Sequence, residues 1–326
     1  MHITSNQGQR GFSLIEIMVA IAISLILLAG IIQLFSSNRQ GFRIQEGFSL
    51  LNENARYAVS RLQYDMRMAD HWGGVDVSNV TSAAPAITDD CSAGFATDTQ
   101  GLLGLEGGAT APAAVAGCLD GGDYIPNSDV IVVRYADPKP VPTASLVGTD
   151  LYVRSSAGRR GLIFQGSNSG SLPSDLAVEA PEMGGKVNLP YHFMIYFLRE
   201  CTASAGTGAG ICLAKRELAG TGLSASSDVI EGVEQLQVVY GIDENGNQNA
   251  DIYRPATDIG ANDWGNVVTA RIDILVRSPA LDLSIDQAGE TYDMAGGFTY
   301  TVPDSLRHYP RKLYSKIIQV RNQIRS

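Results

Sequence analysis

Arg10-Gly11-Phe12-Ser13-Leu14-Ile15-Glu16, with the run Ile17–Phe35 behind it, decides how the rest of the chain is read. No charged residue occurs from Ile17 to Phe35. Leu, Ile, Val, Ala, Met and Phe dominate, with Ser24, Gly30 and Gln33 as mild exceptions. At about 1.5 Å of rise per residue such a helix is about 28 Å long, which matches a hydrocarbon core of about 30 Å. Glu16 stands at the N-terminal edge of this apolar sequence. A carboxylate carried to the centre of a membrane span costs roughly 2.5–3.5 kcal/mol, so Glu16 requires a partner or an exit from lipid.

The leader ahead of this run is polar and ends in a single Arg. A secretory signal has an apolar stretch of about 7–15 residues followed by a small-residue cleavage site. Here the apolar stretch is longer, no A-x-A-like site follows it, and the small residue, Gly11, lies in front of it. A cut at Gly11 would discard the leader and keep the helix. Arg10 and the amino terminus on one side, against Arg39 and Arg43 on the other, give no charge bias that would orient the span.

After Phe35 the chain turns polar, with Gly41 and Gly47 as weak points, and then regains helical period. Leu51, Ala55, Ala58, Leu62, Met66 and Ala69 form one apolar stripe at spacings of 4, 3, 4, 4 and 3. Glu53, Arg56, Gln63, Arg67 and Asp70 fall largely off it, and Arg61 and Asp65 form an i,i+4 pair. Gly73-Gly74 reads as the stop. The pattern predicts one long helix from about Phe12 to His71, its first half suited to lipid and its second to one side of a soluble domain.

Residues 75–124 show little pattern. Beyond them period-2 segments dominate: Val130–Tyr135, Leu151–Arg154, Leu162–Gln165, Tyr191–Arg199, Val229–Tyr240, Val267–Arg277 and Phe298–Val302 read as strands, separated by Gly, Pro, Asn and Asp. No βαβ rhythm is present, which argues against a parallel sheet. In the tail, Leu313, Ile317, Val320 and Ile324 have helical spacing but β-branched composition, and both readings stand. The resulting class is α+β: a long N-terminal helix on an antiparallel β-rich domain. The divisions are a leader (1–11), a membrane half of the helix (12–35), an amphipathic half (36–72) and a β-rich domain (73–326).

The chain has 326 residues, 44% of them apolar, and a net charge of −10. That charge argues against nucleic acid as a partner, since phosphate recognition needs clustered Lys and Arg. The four cysteines, Cys91, Cys118, Cys201 and Cys212, include no C-x-x-C pair, and none of the four His stands at zinc-ligand spacing from them. In an exported chain two disulfides are expected. Of the three connectivities, proximity favours Cys91–Cys118 and Cys201–Cys212, each closing a Gly/Ala/Thr-rich loop; four buried thiols are the alternative. Asp243, Asn245, Asn247, Asn249 and Asp251 place side-chain oxygens at alternate positions, a set that can contribute to a Ca²⁺ site. The same composition also makes an ordinary turn, and the EF-hand order is absent. No nucleophile motif is found; His71 and His192 are the only histidines considered as bases, and His192, between Tyr191 and Phe193, reads better as a core or edge residue. No enzymatic activity and no resident cofactor are expected.

The constellation Arg10-Gly11-Phe12-Ser13-Leu14-Ile15-Glu16 followed by a retained apolar helix resembles the class III, prepilin-type signal. Asn52-Glu53-Asn54-Ala55-Arg56-Tyr57-Ala58 is similar to the amphipathic half of minor pilins. Gly232–Gly241, the Asx loop, Leu275-Val276-Arg277-Ser278 and Tyr309–Asn322 look like the PilW type of type IV pilus minor pilin. The resemblance covers roughly the first 70 residues and residues 229–326, and it is weak between them. It implies cleavage by prepilin peptidase after Gly11, methylation of the new Phe12 amine, and a Glu16 that neutralises the amine of a neighbouring subunit during assembly. It also implies a C-terminal strand, priming of the pilus, and a place at its tip with other minor pilins and the major pilin. The location implied is the inner membrane, with the C-terminal domain in the periplasm, and then the pilus of a Gram-negative bacterium. Two other readings are a J-type pseudopilin of type II secretion and a membrane-tethered, calcium-dependent periplasmic binding module or enzyme.

Overall fold

The computed structural model describes residues 12–119, 124–156, 158–177, 185–202, 210–279, 281–320 and 322. The chain divides into two compact units, Met1–Ser49 and Leu50–Ser326. One helix, α1 (Leu14–Met68), runs through the boundary and through Gly30, Gly41 and Gly47 without a break. In the first unit every residue from Phe12 to Arg43 is exposed. This helix is long and apolar enough to cross a membrane.

In the second unit all six residues of the apolar stripe, Leu51, Ala55, Ala58, Leu62, Met66 and Ala69, are wholly buried. The helix ends ahead of the glycine pair. Asp70 takes a left-handed conformation (φ 60°), which Asp tolerates better than most residues. Asp70 is also buried rather than turned to solvent. Its Oδ1 accepts the Gly101 N–H at 2.7 Å and the Trp72 Nε1–H at 3.4 Å, a role that its place off the stripe did not reveal. Gly73 (φ 67°) then lets the chain pass Leu189 and Ser155, where a Cβ would come within 2.5 Å of Leu189 Cδ1.

Two sheets carry the rest. The larger contains β1 (Val80–Ser82), β2 (Leu102–Leu105), β3 (Val130–Ala136), β4 (Leu151–Ser156), β5 (Arg160–Gln165), β6 (Lys186–Glu200), β7 (Ile211–Ala219), β8 (Gly222–Leu223) and β9 (Ser227–Glu231). Its main order is β1-β5-β4-β6-β3-β2, with β7, β8 and β9 extending from β6. The smaller contains β10 (Val233–Ile242), β11 (Ile252–Arg254), β12 (Val267–Arg277) and β15 (Arg311–Gln319), in the order β11-β10-β12-β15. A hairpin of β13 (Thr291–Asp293) and β14 (Thr299–Thr301) stands apart. All these ladders are antiparallel except the three-residue pairing of β1 with β5, a short parallel edge that the sequence did not announce.

The inner face of the smaller sheet and one face of the larger close over the helix stripe in a single core. The other face of the larger sheet forms a second core with Trp72, Ala96, Val115, Cys118 and Leu119. Burial on both faces explains why β3 is buried at every position rather than alternating. The patternless stretch after the helix is therefore a cover for a sheet. It is fastened by Arg134, wholly buried on β3, whose guanidinium donates to Phe95 O (2.7 Å) and Gln100 O (2.8 Å) and lies against the rings of Phe95 and Phe193. Tyr191 adds a bond from its hydroxyl to Ala96 O at 2.6 Å.

The expected strand Val229–Tyr240 is two strands in two sheets. β9 ends at Glu231 and β10 begins at Val233, with Gly232 at φ 92° between them. The tail is a strand up to Gln319, in a continuous nine-pair register with β12. Pairing with β12 overrides the helical spacing of Leu313, Ile317 and Val320. Between the sheets, Asp129 takes the place of a strand. Its N–H donates to Leu236 O at 2.9 Å, while its carboxylate accepts from Val238 N at 2.7 Å and Gly107 N at 2.9 Å. Burial, together with the nearby Glu106, pushes the Asp129 carboxyl up to about 7, although the two amide donors pull it back in part.

Two outcomes follow from this geometry. Gly232→Ala is expected to destabilise the domain by about 1–3 kcal/mol, read from denaturant melts, because the left-handed φ is strained for Ala and the new Cβ would lie 2.9 Å from Arg277 O. The folded state binds a proton at Asp129 more readily than the unfolded chain, so this group's contribution to stability falls as pH rises from about 4 to about 7. The melting temperature of Asp129→Asn relative to wild type should therefore improve from pH 4 to pH 8; a constant difference would show an ordinary carboxyl.

Candidate functional site

The N-terminal end of α1 is assembled from residues of one short segment. Ser13 is the cap: its carbonyl accepts the Glu16 and Ile17 N–H groups at 3.0 and 3.2 Å. Glu16 Oε2 reaches back to accept the Ser13 N–H at 3.1 Å. This is half of an S-x-x-E capping box, in which the acid at the third helical position satisfies a donor that the helix leaves open. The carboxylate that stood out as misplaced in an apolar run thus has a local role, and the three-residue spacing from Ser13 to Glu16 was the signal for it. Phe12 is 83% exposed beside this cap. Gly11 lies outside the described residues.

From Leu14 to Phe35 the exposed surface is almost wholly apolar, with Ile15, Ile26, Leu34 and Phe35 each more than half exposed. Soluble monomers rarely leave a continuous apolar surface of this kind uncovered. What it can do chemically is limited to burial against lipid or against other apolar helices.

The second half of the helix is keyed to its domain by a polar contact as well as by the stripe. Asp65 is wholly buried. It accepts hydroxyls from Tyr135 (3.1 Å) and Tyr196, and it pairs with Arg61 at 3.2 Å, as the i,i+4 spacing predicts. Burial, and then the Asp65 charge, push both tyrosine hydroxyls well above their ordinary range, so they remain donors. The sequence showed the Arg61–Asp65 pair but not that Asp65 faces inward.

The four cysteines are paired as proximity suggests. Cys91–Cys118 has a Cα separation of 4.4 Å and ties the cover over the second core; Cys201–Cys212 has one of 5.0 Å. Cys212 lies in β7, opposite Arg199 of β6, so the second bridge joins the ends of two adjacent strands and is not confined to a loop.

The Asx segment is closed by its own hydrogen bonds. Asp243 Oδ1 accepts the N–H of Asn245, Gly246 and Asn247 at 2.7–3.2 Å, and Oδ2 accepts that of Gln248 at 2.7 Å. Desolvation would raise the Asp243 carboxyl, but these four donors outweigh it and hold the group below its ordinary value. Asp251 accepts the Glu244 N–H and the Asn245 amide, both within 2.9 Å. Asn247 Oδ1 accepts the Asn249 N–H at 2.8 Å. Among the described residues no group of three or more His, Cys, Asp or Glu side chains converges as metal ligands. His71 Nδ1 meets Ala136 O at 2.6 Å. His192 stacks against Tyr135 at 5.0 Å, and burial lowers its pKa despite Asp137 beside it.

Comparison with known proteins agrees with this arrangement at both ends of the chain. The prokaryotic N-terminal methylation motif matches residues 6–32, which take in the second half of the leader with Gly11, then Phe12, Glu16 and most of the apolar run. The family Type IV Pilus-assembly protein W matches residues 195–322, from the second half of β6 through β15. No curated protein gives a significant match. Among solved structures the chain is similar to a type IV-like pilin from Thermus thermophilus, with 11% identity over 84% of this chain and 97% of that one; its TM-score of 0.37 is too low to add weight. The methylation motif on its apolar helix and the PilW family model over its C-terminal sheet together support a type IV pilin-like minor pilin of the PilW type.

Proposed function

We propose that the protein is a structural, non-enzymatic subunit that primes type IV pilus assembly and sits with other minor pilins at the pilus tip. Prepilin peptidase cuts after Gly11, and the Phe12 amine is methylated. Before assembly the apolar half of α1 lies in the inner membrane, with the C-terminal domain in the periplasm. The observation that carries this reading is the helix Leu14–Phe35, apolar and exposed along its whole length, with an acid at its head. In a filament that surface is covered by the helices of neighbouring pilins, including the major pilin. Glu16, whose carboxylate accepts the Ser13 N–H in the single chain, neutralises the amine of a neighbouring subunit on assembly. The PilW match favours the pilus over the type II secretion machine that J-type pseudopilins serve.

Mass spectrometry of the protein purified from membranes tests this directly. The intact mass is expected to correspond to a chain that starts at a methylated Phe12 and carries two disulfides. Gly11→Leu should retain the leader; maturation of that variant to the same Phe12 terminus would defeat the proposal. Glu16→Gln should mature normally and yet fail to enter filaments. For the calcium-dependent alternative the Asx loop decides. Because its carboxylates are already engaged by backbone donors, millimolar Ca²⁺ is expected to leave the melting temperature unchanged, and a rise that Asp243→Asn abolishes would support the alternative.

A further inference from the structure

The smaller sheet keeps one long edge open. β15 pairs with β12 through nine residues without a register shift, and among the described residues no strand lies on its other side. Other edge strands, β1, β2 and β11, span only three or four residues, and β9 is interrupted by a shift against β7. The bond from Val320 N–H to Val268 O, one step past the last pair, sets the phase of the ladder. Lys312, Tyr314, Lys316 and Ile318 therefore exchange bonds with β12, and the N–H and C=O groups of Leu313, Ser315, Ile317 and Gln319 point to the open side. Among the described residues these outward groups meet no hydrogen-bond partner. A row of this kind is a template for another strand.

The charge that β15 itself carries along this edge is of one sign. Lys312, Tyr314 and Lys316 stand opposite the core residues Val276, Ile274 and Ile272, on the face that α1 covers. Lys312 and Tyr314 both reach Asn52 of the helix. On the same side of α1, at helical spacing after Asn52, come Arg56, Ser60, Gln63 and Arg67. Helical spacing puts Arg56 and Arg67 on the flank of α1 that faces Lys312 and Lys316, with Glu53 on the outer part of the same flank. β15 contains no acidic residue, on a chain whose net charge is −10.

We propose that β15 is a strand-addition site for an extended, acidic segment of another pilin subunit. The added strand would be held by the outward amides and carbonyls from Leu313 to Gln319, and its register would be chosen by the four cations. Lysines on the edge disfavour pairing with a second copy of this chain and favour an acidic partner. The proposal rests on the reading that the protein assembles with other pilins, and it adds which strand makes the contact and with what chemistry.

The test compares hydrogen exchange in the full-length chain, alone in detergent and co-purified with the pilins co-expressed with it. The amides of Leu313, Ser315, Ile317 and Gln319 are expected to slow by about tenfold or more in the complex. Ser315→Pro removes one outward donor and no bond to β12. It should weaken the association with little change in melting temperature, and Lys316→Glu should weaken it as well. Unchanged exchange at these amides in a complex that does form overturns strand addition and leaves the pilin reading standing. Failure to form any complex with pilins removes both. Slowing in the pure chain that depends on its concentration assigns the edge to a second copy and overturns the proposal. If Ser315→Pro proves unstable, the exchange measurement on the unaltered protein still decides.

Discussion

Six side chains of α1, from Leu51 to Ala69, make the contact on which the folded domain depends. They lie out of water between the inner face of the smaller sheet and one face of the larger. Hydrophobic burial is non-directional and scales with area, so any apolar helix would collapse onto these sheets. Asp65, with Tyr135, Tyr196 and Arg61 around it, supplies what burial cannot, a fixed rotation and height. A buried carboxylate is costly unless its lone pairs are filled. A helix displaced by one turn would carry Asp65 away from both hydroxyls. The same helix, continued toward its N-terminus, has no such stripe and no such key. Between Leu14 and Phe35 its surface is apolar all round and exposed, as suits a segment whose surroundings are lipid or other helices.

A similar division between area and direction recurs in the domain. The second core holds the cover over the larger sheet, but Arg134 fixes which carbonyls of that cover lie over β3. Asp129 joins the sheets where no strand can, by offering β10 one backbone donor and one side-chain acceptor. Beneath the β13–β14 hairpin, Glu234 is buried and pairs with Arg311 and Arg277, with Tyr300 donating to it at 3.4 Å. Each of these groups is expensive to bury alone and specific when paired. Together they account for a fold that keeps one register despite strands such as β10 that are buried on both faces.

The helix stripe was legible in the sequence because one face is buried and the other is not, and that asymmetry writes a period; β12 was legible because apolar residues alternate with Thr269, Arg271, Asp273 and Arg277, although its second face is largely covered too. The strand break at Gly232 was not. Val229–Tyr240 is apolar on both sides of the glycine, and only a left-handed φ separates two sheets there. Residues 75–124 carried no signal because their order is imposed from outside, by Arg134, Tyr191 and the Cys91–Cys118 bridge. The tail was ambiguous because helical spacing and β-branched content disagreed, and a long-range partner, β12, settled it. At the N-terminal end the pattern Gly11-Phe12-Glu16 could be read directly because it is local, and the methylation motif over residues 6–32 matches there. The inward turn of Asp65 and Asp70 could not, because a carboxylate beside an apolar stripe faces solvent in most helices.

Among the described residues two surfaces are left open, the helix Leu14–Phe35 and the edge of β15, and both are marked by charge. The helix Leu14–Phe35 offers apolar area without direction, and Glu16 at its head adds a single site that a cation can satisfy. The edge of β15 offers hydrogen-bond direction with little apolar area, and its lysines add a preference of sign. In each case the uncharged feature alone would accept almost any partner, including an identical copy, with lipid equally able to take the helix and any extended chain the edge. The charge contributes little to affinity while water still screens it. Its contribution is to make the wrong partner cost more than the right one. On the function proposed above, a subunit that waits in a membrane and then takes one defined place among similar subunits needs that difference more than it needs tighter binding at either surface.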